Sequence, residues 1–245
     1  MCTVVLLIRP DHPWPVLLAA NRDERLDRAW DAPAAHWPER PGVVAGRDRS
    51  GGGTWLGVNR AGVVAAVLNR QGTLGPAPGK HSRGELPLIA LAHESATAAS
   101  DAVAALDAGL WRSFNMVLAD RHGAIFVRGL GHGRPEAWAL PAGVHMVTAH
   151  DPDDLESPRV ARHLRRFRDA EPSDPDHWPD HWEGWLAILS DRSGEAGEQI
   201  NVAPRAGYGT ASSALLALPA KGPPRWLFAA GAPDEAPFEP VPLPG

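Results

Sequence analysis

Cysteine is nearly absent from this sequence, since Cys2 is the only one among 245 residues. One cysteine cannot form a disulfide within the chain, which favours a reducing compartment. Lysine is almost absent as well, with only Lys80 and Lys221, and the net charge is −5. These features argue against a disulfide-stabilised scaffold and against a nucleic-acid binder that relies on a basic surface. We therefore predict no nucleic-acid partner.

Long hydrophobic runs are also missing. The first apolar run, "TVVLLI" at 3–8, has only six residues, and no run approaches the roughly 18 residues of a membrane span. No positively charged segment precedes that run, and Arg9-Pro10 follows it, so it does not resemble a signal peptide. We predict no membrane span and expect a cytoplasmic protein.

The composition that remains is that of a globular protein, with 44% hydrophobic and 22% charged residues. The predicted elements follow the order hairpins, two helices, hairpins, two helices and a final hairpin. This clustering favours an α+β fold with antiparallel sheets and segregated helices over a parallel array. Because the chain contains no internal repeat and no obvious linker, we predict a single domain over residues 1–245.

The first predicted hairpin determines what lies beside Cys2. A turn signal at 9–13 separates the apolar runs 3–8 and 14–20. Facing residues of an antiparallel pair have a roughly constant index sum, here near 23–25, which brings Cys2 beside Asn21, Arg22 and Asp23. Two interpretations remain open. The polar residues either mark where the strand reaches solvent, with Cys2 a small hydrophobe, or they form a site around a thiol.

The second interpretation has a clear chemistry. A thiol attacks as the thiolate, and a nearby Arg22 should lower its pKa. If Met1 is removed, the α-amino group of Cys2 can act as the base, with Asp23 holding the ammonium. Asn69 ends another apolar strand and is a candidate donor to a developing oxyanion. We therefore name Cys2, Arg22, Asp23 and Asn69 as candidate catalytic residues.

Several short motifs occur in an order that resembles a known family. They are "MCT" at the start, "LAANRDE" at 18–24, "GGTWLGV" at 52–58, "LN" at 68–69, "SRGEL" at 82–86, "FN" at 114–115 and "YGT" at 208–210. This set resembles the NRDE family, also called the transport and Golgi organisation protein 2 family. The resemblance implies an N-terminal-nucleophile-hydrolase-like fold, a four-layer αββα sandwich of two antiparallel sheets between helices.

The resemblance implies two classes of function. The family is similar to cysteine amidases that open with "MCT" and cleave bile-acid amides or penicillin V with an Arg and an Asp near the end of the second strand. This pattern falls on Arg22 or its neighbour Asn21, and on Asp23, and it implies hydrolysis of a C–N amide bond with no required cofactor. The family is also connected with haem handling and with acyl-lipid metabolism. A carrier of haem or acyl lipid on the same scaffold is therefore the alternative, with haem as a bound ligand.

Either function implies a small-molecule ligand that is mostly apolar with an anionic end. Thr54 and Trp55 lie on the "GGGTWLG" segment, a candidate lip for such a site, and we name them with Asn21 as candidate substrate-binding residues. The chain departs from the family pattern at two places. Thr148-Ala149-His150 stands where members often carry an Asn, and Ala211 stands where they carry an arginine after "YGT".

Two further patterns have ordinary interpretations. His177 and His181 are four residues apart, but Pro179 lies between them and disfavours a helix, so we predict no metal site. The predicted helix "SPRVARHLRRFRDA" has a core stripe of Val160, Leu164 and Phe167. Its five arginines (159, 162, 165, 166 and 168) predict a solvated face, with an anion site as the alternative.

Overall fold

A computed structural model describes residues 2–170, 172 and 182–243 of the chain. In this part of the chain the strands and helices largely follow the predicted order, with three short strands, β3, β9 and β13, that the sequence did not predict. The elements, in chain order, are β1 (Thr3–Ile8), β2 (Val16–Arg25), β3 (Trp30–Ala34), β4 (Val44–Asp48), β5 (Leu56–Val58), β6 (Val64–Asn69), α1 (Glu85–Ala90), α2 (Ala96–Ala104), a 3₁₀ turn (Ala108–Leu110), β7 (Phe114–Asp120), β8 (Gly123–Gly129), β9 (Glu136–Ala139), β10 (Gly143–Val147), α3 (Pro158–Asp169), α4 (Glu183–Leu189), β11 (Tyr208–Leu218), β12 (Arg225–Ala229) and β13 (Phe238–Pro240).

The chain divides into two compact units. The first contains the described residues within 1–27 and 141–240, and the second contains residues 28–140 and 241–243. Among the residues that the structure describes, each unit contains one antiparallel sheet and two helices. The prediction of antiparallel sheets with segregated helices is therefore confirmed for each unit.

The first unit contains a six-stranded sheet in the order β10-β1-β2-β11-β12-β13. Because side chains alternate along a strand, one face of this sheet receives every second residue of β1 and β2. Val5 and Leu17 on that face pack against the stripe of α3. All three residues of the predicted stripe, Val160, Leu164 and Phe167, are buried there, so this helix and its apolar face are confirmed.

The second unit contains a seven-stranded sheet in the order β3-β4-β5-β6-β7-β8-β9. Its helices α1 and α2 contribute Leu86 and Val103 to a core shared with Leu118 of β7. Ser82 and Glu85 have the spacing of a capping box, which predicts a helix that starts at Ser82. In the structure α1 begins only at Glu85, because residues 82–84 pack against a loop. In that loop the Thr54 amide donates to the Gly84 carbonyl at 2.9 Å.

Candidate active site

The register of the first hairpin determines the neighbours of Cys2. β1 and β2 pair Thr3 with Asn21 and Ile8 with Val16, so the index sum is 24 throughout. This lies within the predicted range of 23–25. Cys2 and Arg22 are one step beyond the last pair in the same register, so the predicted proximity of these two residues is confirmed.

The thiol of Cys2 lies at the end of this strand pair and is half-buried. Its Sγ donates to the main-chain carbonyl of Asp23 over 3.7 Å. Burial raises the pKa of the Cys2 thiol, and the Asp23 carboxylate raises it further, whereas Arg22 and the hydrogen bond to the carbonyl lower it. Arg22 acts in the expected direction, but the expectation of a lowered pKa is wrong because burial outweighs it. The resting group is a neutral thiol.

The carboxylate of Asp23 is completely enclosed and is engaged on both oxygens. Arg159 Nη1 donates to Oδ2 at 2.9 Å, and Thr210 Oγ1 donates to Oδ1 at 2.7 Å. The same Arg159 nitrogen donates to Thr3 Oγ1 at 2.8 Å. Thr3 and Asp23 therefore project to one face, and Cys2, which precedes Thr3 on the extended chain, projects to the other. Asp23 therefore contacts the thiol through its main-chain carbonyl and not through its carboxylate.

Tyr208 completes the surroundings of Asp23. Its hydroxyl donates to the Asp23 main-chain carbonyl at 3.1 Å, the same oxygen that accepts from Cys2. Burial raises the pKa of the phenol, and electrostatic interactions with Cys2, Asp23 and Glu24 raise it further, so Tyr208 stays protonated. We call Thr3, Asp23, Arg159, Tyr208 and Thr210 the Asp23 cluster.

Three members of this cluster were missed or misread in the sequence. Arg159 was grouped with the solvated arginines of α3, but its side chain is only 3% exposed. Its partner lies 136 residues away, so no local pattern could reveal the contact. Tyr208 and Thr210 belong to the "YGT" motif, which supported the family resemblance but had no role assigned to its residues. Their hydrogen bonds to Asp23 give both residues a role.

Arg22 and Asn21 differ in what their side chains do. Arg22 is buried and lies 3.7 Å from the Glu24 carboxylate on the same side of the strand. Asn21 donates from Nδ2 to the carbonyls of Leu189 and Ile200, both at 3.0 Å. Its Oδ1 accepts from Ser213 Oγ at 2.7 Å. Because these bonds join β2 to α4 and to the segment before β11, the geometry gives Asn21 a structural role, and its binding of substrate stays a prediction.

The two departures from the family pattern have local explanations. Ala211 is the extra residue of a β-bulge in β11, between Thr210 opposite Asp23 and Ser212 opposite Arg22. The Thr148 hydroxyl donates to Ser157 Oγ at 3.2 Å, at the residue before α3. The bulge at Ala211 thus sets the register of β11 beside Asp23, and the Thr148 hydroxyl joins the residue after β10 to the residue before α3.

The other candidate residues, Asn69, Thr54 and Trp55, lie in the second unit. Asn69 ends β6, where it pairs with Phe114, and is half-buried. Thr54 is buried, and its hydroxyl caps its own turn by donating to the Leu56 carbonyl at 3.0 Å. Trp55 contacts Trp30 edge to face, with ring centroids 5.8 Å apart. Their participation in catalysis or substrate binding stays a prediction.

Neither a metal centre nor a membrane-spanning helix is found in the described part of the chain. Among residues 2–170, 172 and 182–243, no group of three or more His, Cys, Asp and Glu side chains could hold a metal ion. The histidine pair considered in the sequence, His177 and His181, lies outside these residues. No helix in the same ranges is long and apolar enough to cross a membrane.

Comparison with known sequences identifies the family. The family described as "Transport and Golgi organisation 2" matches residues 1–225. This chain belongs to that family. A bovine (Bos taurus) relative, transport and Golgi organization protein 2 homolog, is 31% identical over 132 residues, which cover 49% of this chain and 45% of the bovine protein. The matched segment thus spans less than half the length of that relative.

Solved structures share the fold at low sequence identity. An N-acylethanolamine-hydrolyzing acid amidase ortholog from Caenorhabditis elegans aligns with a TM-score of 0.63 at 10% identity, covering 98% of this chain and all of that one. Penicillin V acylase from Agrobacterium tumefaciens aligns at 0.54 and 15% identity, covering 94% and 83%. A mutant of conjugated bile acid hydrolase from Clostridium perfringens aligns at 0.55 and 13% identity, covering 100% and 97%. The predicted α+β, N-terminal-nucleophile-hydrolase-like fold of this family member is confirmed.

Proposed function

We propose that this member of the transport and Golgi organisation 2 family is a cysteine N-terminal-nucleophile hydrolase that cleaves a C–N amide bond. The observation that carries the proposal is the position of the Cys2 thiol, half-buried at a strand end, beside Arg22 and 3.7 Å from the Asp23 carbonyl. The names of the three structural neighbours describe an amidase, an acylase and a conjugated bile acid hydrolase, which supports the same reaction class. Fold likeness alone does not fix the chemistry, so the proposal rests on the thiol.

The neutral resting thiol requires a base at the moment of attack. After removal of Met1, the Cys2 α-amino group accepts the thiol proton, and the sulfur attacks the amide carbonyl. Collapse of the tetrahedral intermediate breaks the C–N bond, the amine leaves with the proton, and a thioester remains. Water then hydrolyses the thioester with the same amino group as base, which releases the carboxylic acid and regenerates the thiol.

The residues around Cys2 have separate proposed roles. Arg22 favours the thiolate by charge, and Asn69 stays the proposed donor to the oxyanion. Asp23 binds the thiol through its main-chain carbonyl, while Arg159 and Thr210 occupy its carboxylate; that Asp23 also holds the Cys2 ammonium stays a prediction. Ala20 is half-buried and, two residues before Arg22, projects to the same side, which suits a small and mostly apolar substrate.

The experiment measures release of a fluorescent amine from N-acyl amides with acyl chains of increasing length. Intact mass first establishes whether Met1 is absent. We expect release by the processed protein and its loss in Cys2→Ala, whereas Arg165→Met, on the exposed side of α3, should keep the wild-type rate. Unchanged release by Cys2→Ala, or full activity with Met1 retained, would overturn this mechanism.

The haem-carrier hypothesis provides the competing outcome. A carrier should shift the Soret band of added haem and should tolerate Cys2→Ala unless the thiolate is a ligand. If no N-acyl amide is cleaved and haem binds at micromolar protein, the hydrolase proposal fails and the carrier hypothesis takes its place.

A further inference from the structure

Arg159 differs from the other arginines of α3 in its burial. The side chains of Arg162 and Arg165 are 35% and 90% exposed, whereas that of Arg159 is 3% exposed and that of its partner Asp23 is not exposed at all. Arg159 occupies the first turn of α3, directly before Val160 of the apolar stripe. The helix thus inserts one cation beneath the end of the β1–β2 pair.

The contacts of this cation converge on the two residues next to the thiol. One nitrogen, Nη1, donates both to Thr3, which follows Cys2, and to Asp23, whose carbonyl accepts from Sγ. Thr210 holds the other carboxylate oxygen while its own hydroxyl accepts from the Val202 amide at 2.8 Å. Three elements, α3, β1 and β11, therefore fix the chain on both sides of Cys2.

Stability alone is a weak reason for such a pair. Removing two charges from water costs several kcal/mol each, and a buried ion pair is often replaced by apolar residues without loss of stability. The pair does have an electrostatic consequence for the thiol. The Asp23 carboxylate disfavours a second negative charge on Cys2, and the Arg159 guanidinium neutralises that carboxylate.

We infer that Arg159 is a positioning residue of the Cys2 site, which fixes Thr3 and Asp23 on either side of the thiol and neutralises the Asp23 carboxylate. Its relevance to catalysis rests on the proposed function, but the effect on the thiol does not. Arg159 acts through Asp23 and Thr3 rather than by touching a substrate.

The test is the pH–rate profile of iodoacetamide alkylation, which reports a single site because Cys2 is the only cysteine. Arg159→Met leaves the Asp23 charge uncompensated, so the thiolate fraction and the rate near pH 7.5 should fall about threefold or more. Asp23→Asn removes that charge and should raise the rate. Arg159→Lys should lie between Arg159→Met and wild type, and Arg165→Met is the matched control with an unchanged profile.

The opposite changes expected in the alkylation rate distinguish a positioning and electrostatic role of Arg159 from a general loosening of the fold. If Arg159 only held the fold together, both Arg159→Met and Asp23→Asn would expose the thiol and change the rate in one direction, which would overturn the inference. An unchanged rate in folded Arg159→Met would do the same. If that variant does not fold, Arg159→Lys must be slower and Asp23→Asn faster than wild type, and any other pair of results contradicts the inference.

The outcome of the alkylation experiment does not depend on whether the protein hydrolyses an amide. Alkylation needs no amide substrate, so opposite shifts would support the role of Arg159 even if hydrolysis were never observed. Conversely, amide hydrolysis that depends on Cys2 together with an alkylation profile indifferent to Arg159 would overturn this inference and leave the hydrolase proposal intact.

Discussion

Acid should destabilise this protein through one buried histidine, His163 of α3. Its ring is inaccessible to solvent. Nε2 donates to the main-chain carbonyl of Glu198 at 2.9 Å, and Nδ1 accepts from Arg166 Nη1 at 2.9 Å. Because a guanidinium can only donate, Nδ1 carries no proton in this arrangement. The ring is therefore neutral in the folded protein.

Burial is the main reason why the pKa of His163 is lowered from 6.5 to about 4. The Glu198 carbonyl and the Asp191 carboxylate favour the charged ring, whereas Arg166 and Arg162 disfavour it. Since the folded pKa lies below the unfolded one, the stabilising contribution is complete above the unfolded pKa and is lost as the pH falls towards the folded one. The difference corresponds to about 3 kcal/mol in the free energy of unfolding.

Urea unfolding of wild type and His163→Gln at pH 7.5 and 4.5 measures this contribution. Because glutamine does not titrate, the stability advantage of wild type should shrink by about 2.5 kcal/mol between the two pH values. Val160→Ala, which removes apolar volume from the same helix and no titratable group, should keep a constant difference. An equal wild-type advantage over His163→Gln at both pH values would refute the reasoning.

Three further predictions concern other contacts. The His145 ring bonds to the Asp153 carboxylate at 2.7 Å, which raises its pKa; its stabilisation is present below the unfolded pKa and lost as the pH rises through the folded one. In urea unfolding, the advantage of wild type over His145→Gln should therefore shrink from pH 6 to 9, and a constant advantage would contradict this. Tyr208→Phe should lose about 1 kcal/mol of unfolding free energy, since it removes the hydroxyl bonded to the carbonyl beside the thiol; no loss would mean that this bond contributes nothing. An added Cβ at Gly53 would lie 2.3 Å from main-chain atoms of a facing loop, so Gly53→Ala should lower the melting temperature clearly; Gly197→Ala, where the space is ordinary, should not, and equal effects would refute the steric argument.

The pairing of β1 and β2 could be predicted from sequence because its determinants are local. A turn signal at 9–13 lies between two apolar runs, and an antiparallel hairpin fixes its register from the position of its turn. The same reasoning predicted that Cys2 lies beside Arg22. It did not predict the thiol pKa, because burial depends on packing by elements far away in the chain.

The role of Arg159 could not be predicted for the same physical reason. Helical periodicity separates an apolar stripe from a polar face, but it does not show which polar residue at the edge of the stripe meets a buried acid. The stripe at Val160, Leu164 and Phe167 was correct, while the interpretation of Arg159 as solvated was wrong. The predicted start of α1 was wrong for a similar reason. Ser82 and Glu85 have the spacing of a capping box, but contacts with another loop keep the residues before Glu85 out of the helix.

Ala211 shows how one inserted residue lets two distant motifs act together. Thr210 and Ser213 are three positions apart, and in a regular strand they would project to opposite faces. Yet Thr210 donates to the Asp23 carboxylate and Ser213 to the Asn21 amide oxygen, two residues that share one face of β2. The bulge at Ala211 shifts the alternation by one residue, so both hydroxyls reach that face. The main chain at position 211 achieves this, so the absence of the arginine that the family pattern places there leaves the contacts that fix Asp23 intact, and with them the carbonyl that holds the Cys2 thiol.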